Sequence, residues 1–303
     1  MYFIRRSFQF VPILLLISLI SFCLVRIAPG GPFDGERKVS PEIERNLRAK
    51  YHLDESVARQ YLRYLGGLLR GDLGPSLKYR NHSVNDVIRQ ALPVSVTLGF
   101  LAFLFAVGIG VPLGFAGSLY QGRWPGHLGN LLALLAVCVP SFVVGPLLLM
   151  VFAVRWRLFP VALWDSPSHA ILPTMALGLY FAGKIARLTR EGVANVLPSD
   201  FIKAARAKGL SDAAILFRHV LRPALLPVVS YSGPMLADLL TGSFVVENIF
   251  QIPGLGLFMV NSSINLDYPM ITGLVLLYAA LLLVLNLAVD LLAAWLDPRI
   301  RYE

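Results

Sequence analysis

The chain has 303 residues, of which 56% are hydrophobic and 15% charged, with a formal net charge of +9 and a mean hydropathy of +0.66. An ordinary soluble domain carries about 25% charged residues, so this composition indicates a membrane protein. The basic residues are scattered between apolar runs and follow no aromatic-interleaved groove pattern, which argues against nucleic-acid binding.

The first predicted element is an apolar helix that follows Arg5 and Arg6. The apolar core of a signal peptide spans about 7 to 15 residues and precedes a small-x-small cleavage site. The apolar run over residues 7–27 is longer and ends in Ala28-Pro29-Gly30 without such a site. We therefore expect a cytoplasmic N-terminus and a retained transmembrane helix within residues 1–28.

Residues 29–93 are predicted to form a small helical extracytoplasmic insertion. Its first helix begins at Ser40-Pro41-Glu42, where an N-cap precedes a proline and an acid in the first turn. A second helix over about 55–70 stops at Gly71, and a variant capping box, Ser83-Val84-Asn85-Asp86, begins a third that ends before Pro93. An insertion of this size is expected to lean on the membrane domain or on a partner for stability.

The membrane core is predicted over residues 94–296. A bilayer core about 30 Å thick needs roughly 20 helical residues. Stretches without Asp, Glu, Lys or Arg cover residues 90–122, 124–154, 166–183 and 268–289. With the first helix and the apolar run over residues 224–246, they predict an all-α integral membrane protein of six transmembrane helices, the other five at about 94–117, 128–153, 171–188, 224–246 and 271–295.

The distribution of Lys and Arg predicts that both termini are cytoplasmic. The two short outer connections carry just Arg155 and Arg157, whereas the inner connections, above all the loop 189–223, are rich in Lys and Arg. Residues 29–93 are exempt, because long loops are translocated whatever their charge. Residues 297–303 are then a cytoplasmic tail.

One motif suggests a nucleotide site and is rejected. Residues 178–185 fit the phosphate-loop pattern G-x4-G-K, but Ile185 stands where the pattern needs Ser or Thr, and the stretch lies inside a predicted helix. No catalytic Ser/His/Asp set, carboxylate pair or metal cluster can be assembled either. We expect a non-catalytic chain that binds no cofactor and no metal.

The basic loop before the fifth predicted helix contains two short helices. Ser199 or Asp200 can cap the first, Gly209 can adopt the left-handed turn that ends it, and Ser211 can cap the second. Pro223 then allows a break before the next helix.

One face of the first short helix combines an aromatic residue with small ones. Phe201, Ala204, Ala205 and Lys208 share this face by their i, i+3, i+4 spacing, and Leu210 is placed as a hydrophobic staple onto the second helix. The face suits docking against a protein. The alternative is an interfacial helix that lies on anionic headgroups through its basic residues.

The same loop carries a resemblance. Lys203-Ala204-Ala205-x-x-x-Gly209, followed by Val220-x-x-Pro223, resembles the cytoplasmic Glu-Ala-Ala-x-x-x-Gly loop of bacterial ABC importer permeases. Lys203 replaces the family's Glu, and Arg222-Pro223 replaces its Leu-Pro ending, so a salt bridge from the first position is not implied.

Further segments along nearly the whole chain resemble the dipeptide, oligopeptide and nickel permease family, and within it the oligopeptide branch with its B-type subunit. They are Arg26-Ile-Ala-Pro-Gly-Gly-Pro-Phe33, Gly35-Glu-Arg37, Ala49-Lys-Tyr-His-Leu53, Gly71-Asp-Leu-Gly-Pro-Ser76, Ser83-Val-Asn-Asp86, Ala205-Arg-Ala-Lys-Gly-Leu210, Glu247-x-Ile-Phe-x-x-Pro-Gly-x-Gly256, Asp267-Tyr-Pro269 and Asp297-Pro-Arg299.

The resemblance implies a type I ABC importer permease in the bacterial inner membrane. Its partners would be a homologous second permease, two ATPase subunits that use ATP and Mg²⁺, and an extracytoplasmic binding protein that delivers peptides. Nickel or glutathione would be the alternative cargo. The residues implied in ATPase coupling are Asp200, Phe201, Lys203, Ala204, Ala205, Lys208, Gly209 and Leu210. Those implied to face the binding protein are Glu247, Pro253, Gly254, Gly256 and Asp267.

Asp238 lies in the middle of a predicted span, where an aspartate is costly. It is expected either to line the translocation path or to be a buried, hydrogen-bonded structural residue.

An autonomous ion-coupled transporter is the rival class, but it would be expected to show inverted repeats and several binding groups at mid-membrane depth. A membrane scaffold without transport activity is a third possibility.

Overall fold

The computed structural model describes residues 2–27, 41–79, 81–241 and 243–296, and within them every extended secondary-structure element is a helix. Predicted N-cap Ser40 and the predicted tail 297–303 lie outside it. A π-helical segment, Leu149–Arg155, extends the helix Ser141–Leu148, and a second, Leu216–Val220, joins the helix Asp212–Ile215 to the helix Leu221–Thr241. The helices are α1 Tyr2–Ile27, α2 Pro41–Lys50, α3 Val57–Leu68, α4 Val84–Leu119, α5 Trp124–Cys138, α6 Ser141–Leu148, α7 Ile171–Val196, α8 Asp200–Ala207, α9 Asp212–Ile215, α10 Leu221–Thr241, α11 Phe244–Ile249, α12 Leu255–Ile264 and α13 Tyr268–Leu296.

Within these ranges, four helical stretches are long and apolar enough to cross a bilayer: Phe8–Ile27, Val84–Leu119, Asp212–Ile249 and Tyr268–Leu291. The bent pair of α5 and α6 makes a fifth if it is one span. The remaining predicted span, 171–188, corresponds to α7, which is 26 residues long but carries charged residues in its C-terminal half. Six spans with cytoplasmic termini therefore stay a prediction.

Two predicted helix boundaries are wrong, and both involve proline. The helix predicted to begin at Ser83 does not end before Pro93, because α4 runs through it from Val84 to Leu119, 36 residues in all. Prolines are tolerated in membrane helices where neighbouring groups satisfy the freed carbonyl. The predicted helix 128–153 is instead broken at Val139 and bends by 103°. Val139 is extended, with φ −91° and ψ 117°, as expected for a residue that precedes a proline.

One compact unit comprises Met1–Ser95 and Pro253–Leu283. In it, α3 packs on α1: Tyr61 shares a hydrogen bond with Ser18 at 2.9 Å and stacks edge-on against Phe22. The start of α4 and the N-terminal half of α13 form an apolar core with α12. Ser83 and Asp86 cap α4 reciprocally, with the Ser83 amide 3.0 Å from the Asp86 carboxylate, as the capping-box pattern predicts.

The other unit comprises Val96–Ile252 and Val284–Glu303 and is built around α7. Glycines allow close contact on three sides of this helix. A Cβ on Gly178 would lie 2.9 Å from the Ala102 carbonyl of α4, one on Gly183 2.6 Å from the Ala133 carbonyl of α5, and one on Gly192 2.1 Å from the Ala224 carbonyl of α10. Small residues permit such backbone contact in membrane helices.

Candidate functional sites

The two-helix loop has the predicted geometry at Gly209 and Ser211, but no side chain caps α8 and Pro223 does not break the chain before α10. Ser199 occupies the N-cap position of α8 through its backbone, although its hydroxyl donates back to the Val196 carbonyl. Gly209 has φ +77°, the left-handed conformation that ends α8. The Ser211 hydroxyl accepts a hydrogen bond from the Ala214 amide at 3.3 Å and so caps α9. At Pro223 there is no break, since the π-helical segment Leu216–Val220 runs directly into α10, which contains Pro223.

The inner face of α8 packs on the chain itself. Ile202 is fully buried and Ala205 is 5% exposed; they join an apolar core with Val193, Ile215, Val220 and Ala224. Ala205 was predicted to share an exposed face with Ala204, but its i, i+3 partner is Ile202, and that pair points inward. Ala205 therefore holds α8 onto its own chain and is not available for contact with another protein.

The outer face of α8 is exposed. Phe201, at 51% exposure, stands with Ala204 and Lys208 on this face, which we call the α8 outer face. Lys203 forms an ion pair with Asp200 at 2.8 Å beside it, and both side chains are largely in solvent, where such pairs contribute little. An exposed phenylalanine next to a small residue and a basic one suits docking of another protein.

Four of the five residues implied to face a binding protein are buried: Glu247, Gly254, Gly256 and Asp267; Pro253 is exposed. The Glu247 carboxylate accepts a hydrogen bond from the Ser243 hydroxyl at 2.6 Å, and its backbone carbonyl accepts one from the Ile252 amide at 2.8 Å. Glu247 thus organises the turn after α11. The sequence does not reveal this, because its motif looks the same in a surface loop and in a packed one.

Asp267 joins two distant parts of its unit. Its carboxylate accepts hydrogen bonds from the Ser76 hydroxyl at 2.5 Å, from the Leu77 and Lys78 amides at 3.1 and 3.2 Å, and from the Met270 amide at 3.3 Å. The last bond caps α13, where a negative charge is favoured by the helix dipole. Asp267 is therefore a structural anchor for the loop before α4.

Asp238 is exposed on α10 and does not stand alone. Pro227, Ser230 and Pro234 are exposed on the same helix at spacings of three and four residues, so the four form one stripe. We call this the α10 stripe. An exposed acid and hydroxyl at membrane depth are costly against lipid and are expected to face water or another protein. The sequence interpretation singled out Asp238 but missed the 3–4 spacing that links it to Ser230.

The phosphate-loop-like segment lies inside α7, where Gly178 and Gly183 make the close contacts described above. The Lys184 ammonium stands 4.6 Å from the ring centre of Tyr180 and 5.6 Å from that of Tyr231, a cation–π arrangement. Among the described residues, no three His, Cys, Asp or Glu side chains come together as a metal site.

Comparison with known proteins covers nearly the whole chain. Residues 108–302 match the family described as binding-protein-dependent transport system inner membrane component, and residues 1–99 match the N-terminal family of such membrane components. The oligopeptide transport system permease protein OppB of Salmonella typhimurium is 45% identical over 99% of both chains. The dipeptide transport system permease protein DppB of Bacillus subtilis is 41% identical over 99% of this chain and 97% of its own.

Among solved structures, an inward-facing form of the MetNI methionine ABC transporter contains a similar chain. The TM-score is 0.59 at 16% sequence identity, over 70% of this chain and 96% of that one. Similarity at this level of identity concerns the fold alone. The helical core thus has the fold of an ABC importer permease.

Proposed function

This chain belongs to the family of binding-protein-dependent transport system inner membrane components, and on that premise we propose that it is the B-type permease subunit of an ATP-driven peptide importer. The observation that carries the proposal is a sequence identity of 45% to an oligopeptide permease and 41% to a dipeptide permease, in each case over nearly the full length of both chains. The chain contributes the membrane passage in the bacterial inner membrane and no catalysis. Its partners are a second permease, two ATPase subunits that use ATP and Mg²⁺, and an extracytoplasmic binding protein.

The α8 outer face is the surface that receives the ATPase. Helix α8 is seated on its own chain through Ile202 and Ala205, so a push on Phe201 is transmitted to α7 and α10. This arrangement supports a coupling helix that moves with the core when the ATPase pair closes on ATP. Both termini and α8 then lie on the cytoplasmic side, and α7 makes up the sixth span.

The α10 stripe is the part of this chain that lines the passage. Peptides carry an amine and many backbone amides, and Asp238 and Ser230 offer a carboxylate and a hydroxyl to them. Lys184 lies beside Tyr231, two helical turns from Asp238 on the same side of α10. Exposed polar groups within an apolar helix support a water-filled path at this face.

Uptake measurements in a strain that lacks this chain test the function. Complementation with the intact gene should restore import of a labelled tripeptide and leave nickel and glutathione uptake unchanged. Restoration of nickel or glutathione uptake alone would replace peptides as the cargo. Accumulation of peptide by the purified chain in vesicles without any ATPase would overturn the importer-subunit proposal itself.

A further inference from the structure

A groove runs between α4, α5 and α7 near the turn that joins α4 to α5. One cavity of about 330 Å³ in this groove is lined mainly by small and aliphatic residues, including Gly129, Ala133 and Val137, and its polar lining is Asn130, Arg187 and Arg190. Arg190 borders both this cavity and a second one of about 290 Å³, which is lined by polar residues, including Ser118, Gln121 and Asn195. A largely apolar cavity, bordered by Arg187, thus meets a polar one at Arg190.

The polar cavity contains an unsatisfied donor, and the two cavities together are lined by two arginines and one carboxylate, Glu191. Ser118 is 7% exposed, and its hydroxyl has no hydrogen-bond partner among the described residues. Arg187, at the rim, pairs with Glu191 at 3.2 Å in an exposed position. Arg190 has no carboxylate within ion-pair distance in the described part of the chain. A ligand with an anionic, hydrogen-bond-accepting head would satisfy both Ser118 and Arg190.

The groove opens at the depth of lipid headgroups. Arg187 and Arg190 follow Ile171, the first residue of α7, by about 24 and 28 Å at 1.5 Å per residue, close to the full thickness of a bilayer core. Trp124, 75% exposed at the start of α5, is typical of a residue at the membrane interface.

The surface beside the groove is exposed and apolar, as expected for a surface that contacts lipid. The exposed side chains of α5 include five leucines, at positions 128, 131, 132, 134 and 135. The groove is continuous with this face, since Leu134 belongs to both. A lipid therefore fits as occupant better than a protein segment does.

We propose that this groove binds one anionic glycerophospholipid, such as phosphatidylglycerol. An acyl chain lies along Ala133 and Val137, the phosphate lies between Arg187 and Arg190, and Ser118 donates a hydrogen bond to the headgroup. Basic pockets between membrane helices on the cytoplasmic side are suited to anionic headgroups. The site rests on the proposed sixth span, α7, and not on the identity of the cargo.

Native mass spectrometry of the purified full-length chain with equimolar phosphatidylglycerol and phosphatidylcholine tests the site. The intact chain should retain one phosphatidylglycerol preferentially. Arg187→Gln with Arg190→Gln should weaken retention roughly 30-fold, on the scale expected for two basic residues at a headgroup. The matched control is Arg155→Gln with Arg157→Gln, which removes the same charge from two exposed arginines elsewhere and should leave retention unchanged.

A second variant tests whether retention of the lipid depends on the space in the cavity as well as on the charge of the arginines. Gly129→Leu keeps both arginines and fills the apolar cavity; a Cβ there meets nothing closer than the Leu113 carbonyl at 3.7 Å, so the fold should tolerate it. It should also abolish preferential retention. Equal retention of the two lipids by the intact chain, or unchanged retention in both variants, would overturn the proposal, as would crosslinking of Ala133→Cys to another protein subunit in the assembled importer.

Discussion

Ser76 donates a hydrogen bond to the Asp267 carboxylate at 2.5 Å, although 191 residues separate the two. Neither side chain is accessible to solvent to any useful extent. The bond fixes the loop before α4 onto the first turn of α13, so an N-terminal part of the chain depends on a residue much closer to its C-terminal end.

Replacing Asp267 should therefore destabilise this unit strongly. Asp267→Ala leaves three donors without their acceptor, the Ser76 hydroxyl and the Leu77 and Met270 amides, whereas the Lys78 amide keeps its hydrogen bond to the Ser76 hydroxyl. Each buried unsatisfied group costs about 1–3 kcal/mol, so we expect a loss of at least about 3 kcal/mol. Thermal unfolding of the detergent-purified chain measures it. Asp54→Ala, at an exposed position, is the matched control and should change little. Equal unfolding temperatures for the two variants would mean that Asp267 is not an anchor.

Two substitutions that each introduce a negative charge distinguish the role of the α8 outer face from that of the inner face. Phe201→Glu should leave the chain folded and reduce co-purification of the ATPase at least about tenfold, because the side chain is exposed and central to the docking face. Ala205→Glu should instead destabilise the loop itself, since it places a charge in an apolar core.

The control for Phe201→Glu is Val57→Glu, the same charge at an exposed apolar position of α3. It should not affect ATPase capture. Full ATPase capture by Phe201→Glu would move the docking site away from this face.

The α10 stripe predicts access to water within an apolar helix. With Cys23 and Cys138 replaced by Ala, a cysteine placed by Ser230→Cys should react with a water-soluble maleimide in the assembled importer. Leu104→Cys, on an exposed apolar part of α4, should react much more slowly because lipid covers it. Equal, slow labelling of both would place the stripe against lipid or a tightly packed partner.

Because α5 and α7 are in close contact at Gly183, adding one methyl group there is predicted to lower the stability of the chain. Gly183→Ala would place its Cβ 2.6 Å from the Ala133 carbonyl, which requires α5 and α7 to separate, at about 1–3 kcal/mol. Gly108→Ala in α4 is the matched control, because nothing lies within 4 Å of its Cβ and alanine favours a helix there. Thermal unfolding compares the two, and an unfolding temperature for Gly183→Ala at or above that of Gly108→Ala would contradict the close contact.

Much of the local structure could be predicted from the sequence. The turn at Gly209, the cap at Ser211 and the capping box at Ser83 depend on a few neighbouring residues, whose side chains and backbone decide the outcome. The apolar runs likewise predicted the membrane helices, because backbone groups in a bilayer must be satisfied within the helix. The break at Val139 is also local, because a proline restricts the backbone of the residue before it, but the sequence interpretation missed it.

The roles of Ala205, Glu247 and Asp267 were decided by tertiary structure. Their motif positions are the same whether they face a partner or the interior of their own unit, and packing partners far away in sequence choose between these outcomes. Asp238 shows the converse: its depth in a helix could be read from the chain, but its exposure beside Ser230 required the arrangement of the surrounding helices. Local rules determine which segments become helices, whereas burial depends on which helices meet, and only the folded chain brings those surfaces together.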